Sequence, residues 1–215
     1  MFTYRISQFL YNIIRTLIGG KGLSKYKIIR TSKKFAENNI HSSHVSVQGH
    51  EMYLDSSDSL RLSTNGVFEP HTTQVIKQNI SSGDIVIDIG ANIGYFTLIM
   101  AKGIRENGKV FSFEPEPENF SILKRNISDN NIENARLENL AVSNKNSVTK
   151  LFLSDDPGAN SIFDQTSHKA TGRYLNVHTT KLDDYFLDKK LVDKISFIKI
   201  DVEGVEFDVL KGMTD

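Results

Sequence analysis

The stretch Asp84-Ile-Val-Ile-Asp-Ile-Gly-Ala-Asn-Ile-Gly94 decides the fold of this chain. Its first five residues form a short, β-branched and nearly continuous apolar run, which is typical of a strand buried on both faces of a parallel sheet. The glycine-containing loop that follows leads directly into residues 95–102, which are predicted to be helical. A strand that turns through glycines into a helix is the first half of a nucleotide-binding β-α-β unit.

The second half of that unit follows immediately. Residues 109–114 predict another strand, which ends in Glu114-Pro-Glu-Pro117, and Pro117 begins a helix with an apolar stripe. Because strands alternate with helices, the predicted fold class is α/β, a Rossmann-like sandwich with a mainly parallel sheet and helices on both faces. The further strands predicted to extend this sheet are Arg136–Val142, Val148–Leu153, Asn176–Thr180 and Ile195–Asp201.

The residues before Asp84 are predicted to form smaller elements. Two short alternating runs, His44–Gln48 and Glu51–Asp55, predict an antiparallel hairpin that turns at Gly49-His50. A helix is predicted over Glu69–Ile80. The predicted organisation has three parts, which are a basic helical arm over residues 1–40, the hairpin and lead-in helix over residues 41–83, and the main domain over residues 84–215.

Composition narrows the function classes. The 215 residues favour one domain with an appendage. The absence of cysteine excludes disulfides, cysteine-ligated zinc, iron–sulfur clusters and a cysteine nucleophile, and fits a reducing compartment such as the cytoplasm. The net charge is zero, but residues 1–40 carry +7 and the remainder −7. No nucleic-acid partner is expected, because an acidic body lacks the clustered basic face that phosphate contacts need.

The basic arm is predicted to contain an amphipathic helix, since apolar residues recur at helical spacing from Phe9 to Ile18. Arg5 and Arg15 interrupt the run too early for a membrane span, and no small-residue cleavage site follows that would mark a signal peptide. Three interpretations stay open: a helix packed on its own domain, a helix on an anionic membrane surface, and a helix that binds a partner. The expected location is the cytoplasm, with peripheral contact to the inner face of a membrane as one alternative.

The spacing and charge of the glycine loop indicate the class of ligand. A dinucleotide fingerprint reads G-x-G-x-x-G, whereas this loop reads D-x-G-x-x-x-G with Asp88 at the strand tip. An unpaired carboxylate there would repel a pyrophosphate, and it suits a ligand with an ammonium group and a sulfonium, such as S-adenosylmethionine. Glu114, 24 residues beyond Gly90, is placed to accept both ribose hydroxyl protons. Nicotinamide enzymes share that acid, so a nicotinamide-dependent oxidoreductase stays an alternative.

Three blocks of the sequence resemble the signature blocks of FkbM-family methyltransferases, which are class I enzymes that depend on S-adenosylmethionine. They are Asp88-Ile-Gly-Ala-Asn-Ile-Gly94, Phe113-Glu-Pro115 and Ile198-Lys-Ile-Asp-Val-Glu-Gly-Val-Glu206. Many methyltransferases share the first block, and the third is the most specific to the family. The resemblance runs from about residue 45 to the C-terminus. It implies the class I form of the fold and methyl transfer, mostly to hydroxyl groups of sugars and other natural products.

The resemblance also implies roles for individual residues. The loop after the first strand would line the methionine part of the cofactor, the tip of the second strand would hold the ribose, and the end of the third would approach adenine. A glutamate before the first strand would reach the amino group. The cofactor-binding residues predicted in this way are Glu69, Asp88, Gly90, Ala91, Asn92, Gly94, Glu114, Pro115, Asn139 and Ala141. Glycine turns, helix caps and solvated acids would explain several of these without a ligand.

Asp201 and Glu203 are the candidate catalytic residues. They follow the fourth parallel strand, whose carboxyl end faces the crevice where ligands bind in open α/β sheets. Asp201 is predicted to lie at the junction of cofactor and acceptor, with Glu203 as the reserve base. The family resemblance implies O-methylation of a hydroxyl on a small molecule, sugar or glycan as the favoured reaction, and the N-P-P-Y tetrapeptide typical of base and amide N-methylation is absent. The six histidines lack the grouping of a metal site, so no metal is expected.

The sequence departs from the family pattern at its end. After Asp201 it offers one helix, Val205–Lys211 with Gly212 as its cap, whereas a class I methyltransferase continues with further strands. We therefore expect the last strands to be missing and the fourth strand to lie at an exposed edge. A catalytically inactive cofactor-binding module is the remaining alternative, and the sequence predicts no oligomeric state.

Overall fold

The structure is a computed structural model that describes residues 43–154, 160–162, 170–187 and 189–214. The expected arm over residues 1–40 lies outside the described residues. In chain order the strands are β1 (His44–Val47), β2 (His50–Tyr53), β3 (Ile85–Ile89), β4 (Lys109–Phe113), β5 (Ala135–Glu138), β6 (Ala141–Val142), β7 (Ser147–Ser154), β8 (Ala170–Thr180) and β9 (Ile195–Ile200). The helices are α1 (Leu62–Asn65), α2 (Pro70–Asn79), α3 (Tyr95–Ile104), α4 (Pro117–Asp129), α5 (Leu182–Tyr185), α6 (Lys189–Val192) and α7 (Glu206–Lys211).

A four-stranded parallel sheet forms the centre of the fold. Its order is β5-β4-β3-β9, and every neighbouring pair is parallel. The predicted α/β class with a mainly parallel central sheet is therefore confirmed. Strand β9, the last described strand along the chain, lies at one edge of this sheet beside β3.

Helices cover both faces of the sheet, as predicted. Side chains alternate between the two faces of a strand. Val86 and Val110 belong to one apolar cluster with residues of α2, α3 and α4. Ile87 and Phe111 belong to a second cluster with residues of α5 and α7. Two separate apolar layers therefore hold the sheet from opposite sides.

The predicted helices are confirmed with small changes at their ends. The helix predicted over residues 95–102 extends to Ile104, and the helix predicted to begin at Pro117 does so. Glu69 and Ile80 flank α2 as its caps rather than lying inside it. Gly212 caps the last described helix, and its backbone N–H donates to the carbonyl of Val209.

The predicted hairpin forms, but its turn lies one residue earlier than expected. Val47 pairs with His50, so the two-residue turn is Gln48-Gly49 and not Gly49-His50. Both turn residues have a positive φ, 54° and 82°, which is the requirement of the type I′ turn that matches the twist of a hairpin. His50 is therefore a buried strand residue.

Two asparagines on α4 hold the hairpin against the main domain. The side-chain oxygen of Asn126 accepts from the N–H of Tyr53 at 2.7 Å, and its amide group donates to the carbonyls of Tyr53 and Ile93. Asn130, one turn later, makes the same paired contacts with the backbone of Glu51. The two side-chain amides therefore pair with the backbone of β2 as a neighbouring strand would. Asn126 also links the hairpin to the glycine loop through its bond to Ile93.

The prediction that every later strand extends the central sheet is wrong. Strands β6, β8 and β7 form a separate sheet, in which β7 and β8 are antiparallel. The strand predicted over Arg136–Val142 divides into β5 and β6. Between them the Asn139 amide donates to the carbonyls of Glu114 and Pro115, and the chain leaves the central sheet. Val148 and Tyr174 are exposed, as expected for an antiparallel sheet with one solvated face.

Among the described residues, no helix is both long and apolar enough to cross a membrane.

Candidate functional site

A cavity of about 290 Å³ opens at the carboxyl ends of β3, β4 and β9. Ligands of open α/β sheets bind in this position. Residues from the three strand ends form its floor, the segments 140–142 and 160–162 and Leu151 line it from the side of the second sheet, and residues 59–60 and 68–69 line it from the hairpin side. The fold therefore brings segments that are distant in the sequence to one cleft.

Two glycines of the loop after β3 lie so close to neighbouring segments that a side chain would not fit there. A Cβ atom on Gly90 would lie 1.9 Å from the carbonyl oxygen of Asp201, and one on Gly94 would lie 2.6 Å from the Leu123 side chain. Both glycines have a positive φ, 77° and 93°. Gly90, with Ala91 and Asn92, lines the cavity, whereas Gly94 is not among the lining residues and serves the packing of α3 on α4.

Glu114 lies at the tip of β4 and lines the cavity next to Pro115. Its Oε2 accepts from the backbone N–H of Asn92 at 2.8 Å, and its Oε1 accepts from the backbone N–H of Glu116 at 2.9 Å. Burial raises the pKa of Glu114 to about 7, although the two backbone hydrogen bonds work against that shift. Each oxygen of an ionised carboxylate has a second lone pair, so the group can still accept hydrogen bonds from a ligand.

The side chain of the neighbouring Glu116 contacts α4 and not the cavity. Its side chain accepts from the backbone N–H of Asn119 at 2.6 Å and caps α4. It is buried to the same extent as Glu114 but does not line the cavity. The two glutamates are therefore equally buried but differ in their contacts, because Glu114 faces the cavity and Glu116 faces α4.

Asp88 does not face the cavity, which corrects the expectation of an unpaired carboxylate for the ligand's ammonium group. The side chain is fully buried, accepts from the Thr97 hydroxyl at 2.7 Å, and lies 3.0 Å from the ammonium group of Lys199. The Thr97 hydroxyl is also 3.0 Å from that of Ser112. Register explains the arrangement, because Asp88 is the cross-strand neighbour of both Ser112 and Lys199.

Lys199 is the residue of this region that the sequence analysis missed as a site residue. Its side chain is 8% exposed, lines the cavity, and places its ammonium group 5.0 Å from the ring centroid of Phe96. Although burial works to lower its pKa, the charges of Asp88 and Asp201 outweigh burial, and the pKa of Lys199 is raised. The signal in the sequence is one polar residue inside each of three apolar strands, in Val86–Ile89, Phe111–Phe113 and Ile198–Ile200.

The candidate catalytic carboxylates both line the cavity. The backbone N–H of Asp201 donates to the carbonyl of Ile89 at 3.0 Å, which fixes the end of β9 beside the glycine loop. The Asp201 side chain is half-exposed, and its Oδ2 lies 3.4 Å from Nζ of Lys199. Glu203 is exposed, and its backbone carbonyl accepts from the hydroxyl of the buried Ser161.

Of the remaining predicted residues, two line the cavity and one does not. Glu69 is exposed, lines the cavity, and has a positive φ of 39° as the cap of α2. Ala141 is buried and lines the cavity between Leu140 and Val142. Asn139 is not among the lining residues, because its amide is committed to the carbonyls that follow β4. The structure thus brings together Glu69, Gly90, Ala91, Asn92, Glu114, Pro115, Ala141, Asp201 and Glu203, and not Asp88, Gly94 or Asn139.

The charge of the cavity wall is mainly negative. Among the described lining residues the carboxylates are Glu69, Glu114, Asp201 and Glu203, and the ammonium group is that of Lys199, which is paired with Asp88. Phe68, Tyr95 and Phe96 form an aromatic part of the same wall, with Tyr95 and Phe96 in edge contact at 5.1 Å between ring centroids. No group of three His, Asp or Glu side chains within the described part of the chain is placed to hold a metal ion. The wall suits a ligand with positive charge and an apolar part.

Comparison with known proteins gives consistent matches. Residues 88–215 match the family model described as the Methyltransferase FkbM domain. The chain is 28% identical over 147 residues to the hexuronic acid methyltransferase AglP of Haloferax volcanii, a match that covers 68% of this chain and 57% of that protein. It is also 28% identical over 160 residues to the 31-O-demethyl-FK506 methyltransferase FkbM of Streptomyces tacrolimicus, covering 62% of this chain and 60% of that protein.

Among solved structures, the methyltransferase FkbM of Methylobacillus flagellatus KT aligns with a TM-score of 0.42 and 19% identity, over 62% of this chain and 30% of that chain. The matches to AglP and to FkbM of Streptomyces tacrolimicus each span about three fifths of the length of those proteins.

Proposed function

The chain belongs to the FkbM methyltransferase family, whose model matches more than half of it, and we propose that it is an S-adenosylmethionine-dependent O-methyltransferase. One observation carries the proposal. The Glu114 carboxylate faces the cavity at the carboxyl end of the parallel sheet, with its two oxygens held by the backbone N–H groups of Asn92 and Glu116. A carboxylate fixed in this position is the group that accepts ribose hydroxyls in nucleotide-binding α/β folds.

The residues of the cavity fit the charge distribution of this cofactor. The four carboxylates of the described wall favour the cationic sulfonium and ammonium groups, and they disfavour the pyrophosphate of a nicotinamide dinucleotide. Glu114 would hold the ribose, Glu69 would meet the ammonium group, and the apolar segment at Ala141 would receive the adenine. When bound, S-adenosylmethionine supplies a methyl group that its sulfonium has already activated.

The residues of the chain would then exclude water, position the acceptor and accept its proton. The aromatic wall of Phe68, Tyr95 and Phe96 would exclude water. Positioning the acceptor in line with the methyl group can supply several kcal/mol. Asp201, half-exposed at the end of β9, would accept the proton of a hydroxyl acceptor, and Glu203 is the second carboxylate at that rim.

The names of the relatives support an acceptor that is a sugar or a related natural product. One relative is named a hexuronic acid methyltransferase, and another is named a 31-O-demethyl-FK506 methyltransferase. We therefore propose O-methylation of a small molecule or glycan as the reaction of this chain.

The test is release of S-adenosylhomocysteine from S-adenosylmethionine in the presence of neutral polyols and sugars, with primary amines as the comparison acceptors. The proposal expects product with hydroxyl acceptors above the rate without acceptor. Turnover with amines alone would overturn O-methylation. Enhancement of NADH fluorescence by the chain, without binding of S-adenosylhomocysteine, would replace the methyltransferase by an oxidoreductase. Binding of S-adenosylhomocysteine without any turnover would indicate an inactive cofactor-binding module.

A further inference from the structure

Lys199 joins three groups that come from different parts of the site. Its ammonium nitrogen lies 3.0 Å from Oδ1 of Asp88, 3.0 Å from the carbonyl oxygen of Gly90, and 3.4 Å from Oδ2 of Asp201. An ammonium group has three N–H donors, which matches these three acceptors. We infer that Lys199 is a positioning residue, which fixes the Asp201 carboxylate relative to the glycine loop at Gly90 and thereby shapes the cofactor cavity. The link to the cofactor rests on the proposed function.

The sheet register explains how one side chain reaches all three groups. Lys199 lies beside Asp88 in the pairing of β9 with β3, so the two side chains share one face of the sheet. Gly90 and Asp201 each lie two residues further along the chain, directly after the end of β3 and of β9. The backbone of Asp201 approaches Gly90 so closely that a Cβ atom there would overlap the Asp201 carbonyl. The ammonium group therefore lies next to the contact between the loop after β3 and the loop after β9.

A simpler role for Lys199 would be to neutralise Asp88, because a buried carboxylate without a partner is strongly unfavourable. That role requires only the contact with Asp88. It does not account for the bond to the Gly90 carbonyl or for the ion pair with the half-exposed Asp201, and both of those residues line the cavity. The two interpretations differ in what happens when Asp88 no longer needs a counter-charge.

The experiment compares Asp88→Asn with the double variant Asp88→Asn/Lys199→Met, so that neither protein contains a buried unpaired carboxylate at position 88. Hydrogen–deuterium exchange is followed in peptides covering residues 88–94 and 198–204. We expect exchange in both segments to be at least about tenfold faster in the double variant than in Asp88→Asn, with the hairpin and α4 unchanged. We also expect S-adenosylhomocysteine to bind at least about fivefold more weakly. Lys124→Met, on the exposed face of α4, is the matched lysine control.

Equal exchange of the two segments in Asp88→Asn and the double variant would overturn the inference, whatever the ligand does. Faster exchange of the two segments without any binding of S-adenosylhomocysteine by the wild-type chain would support the positioning role and contradict the proposed function. If the double variant lacks a cooperative melting transition, Asp88→Asn/Lys199→Gln provides the comparison, because glutamine keeps a polar side chain but carries no charge to pair with Asp201. Exchange equal to that of Asp88→Asn in this variant would also overturn the inference.

Discussion

The backbone N–H of Asn92 donates to Oε2 of Glu114 at 2.8 Å, and this one contact joins the glycine loop after β3 to the tip of β4. The second oxygen of the same carboxylate is held by the N–H of Glu116. Glu114 is therefore fixed before any ligand enters, in a cavity that buries it almost completely. A pre-positioned acceptor loses little conformational freedom on binding, which favours affinity.

Binding of S-adenosylhomocysteine should weaken as the pH falls. Glu114 has a pKa of about 7 because burial disfavours its charged form. In the proposed complex the ribose hydroxyls donate to the ionised carboxylate of Glu114, so binding would favour loss of its proton. Calorimetric affinity should fall by up to about tenfold for each pH unit below about 7, because each unit of pKa corresponds to about 1.4 kcal/mol.

The Glu114→Gln variant is the control for that pH dependence, and it should bind with the same affinity at about pH 5.5 and about pH 8. The raised pKa of Glu114 also makes the free energy of unfolding of the ligand-free chain depend on pH. The stabilisation that Glu114 contributes is fully present below its ordinary pKa near 4.5 and is lost as the pH rises through about 7. Wild-type affinity that is flat across this range would remove Glu114 from the binding equilibrium.

The Asp201→Asn substitution should slow methyl transfer to a hydroxyl roughly 10²–10⁴-fold while the affinity for S-adenosylhomocysteine changes little. Asparagine keeps the shape of the side chain and removes its charge and basicity. Steady-state rates and calorimetry on the same preparations separate the two effects. Glu203→Gln is the comparison, because both side chains line the cavity. A slow Glu203→Gln enzyme beside a normal Asp201→Asn enzyme would transfer the role to Glu203.

Gly90→Ala should destabilise the fold far more than Gly83→Ala. Both glycines have a positive φ, 77° and 93°, so alanine at either position costs about 1–2 kcal/mol of backbone strain. Only at Gly90 would the new Cβ overlap another backbone, that of Asp201, whereas nothing lies within 4 Å at Gly83. We expect a further loss of about 1–3 kcal/mol at Gly90, measured by denaturant unfolding. Equal losses at the two sites would contradict the close contact between the β3 and β9 loops.

The local elements of this fold could be predicted from the sequence because their signals are local. An apolar run bounded by Gly90, and helices that begin at Pro70 and Pro117, indicate their own limits. The position of the cavity followed from the rule that parallel strands end at one edge of a sheet. That rule needs the order of the strands but not their register.

The pairing of Asp88 with Lys199 could not be predicted from spacing, because it depends on the register of two strands that are 111 residues apart. The same limit explains the error over the second sheet. The residues of β7 predict a strand, but they do not say which strand lies next to it. The side chain of Asn139 donates to the backbone carbonyls that follow β4, a contact that composition does not reveal.

The central claim is that the Glu114 cavity binds the ribose of S-adenosylmethionine, and calorimetric titration of S-adenosylhomocysteine into wild-type, Glu114→Ala and Glu116→Ala chains tests it most directly. Loss of hydrogen bonds to a charged acceptor costs about 1.5–3 kcal/mol, so Glu114→Ala should bind about 10–150-fold more weakly than the wild type. Glu116→Ala removes an equally buried carboxylate that caps α4 and should bind within about twofold of the wild type while losing about 0.5–2 kcal/mol of stability. Equal affinities of the wild type and Glu114→Ala, or no binding by the wild type, would contradict the account.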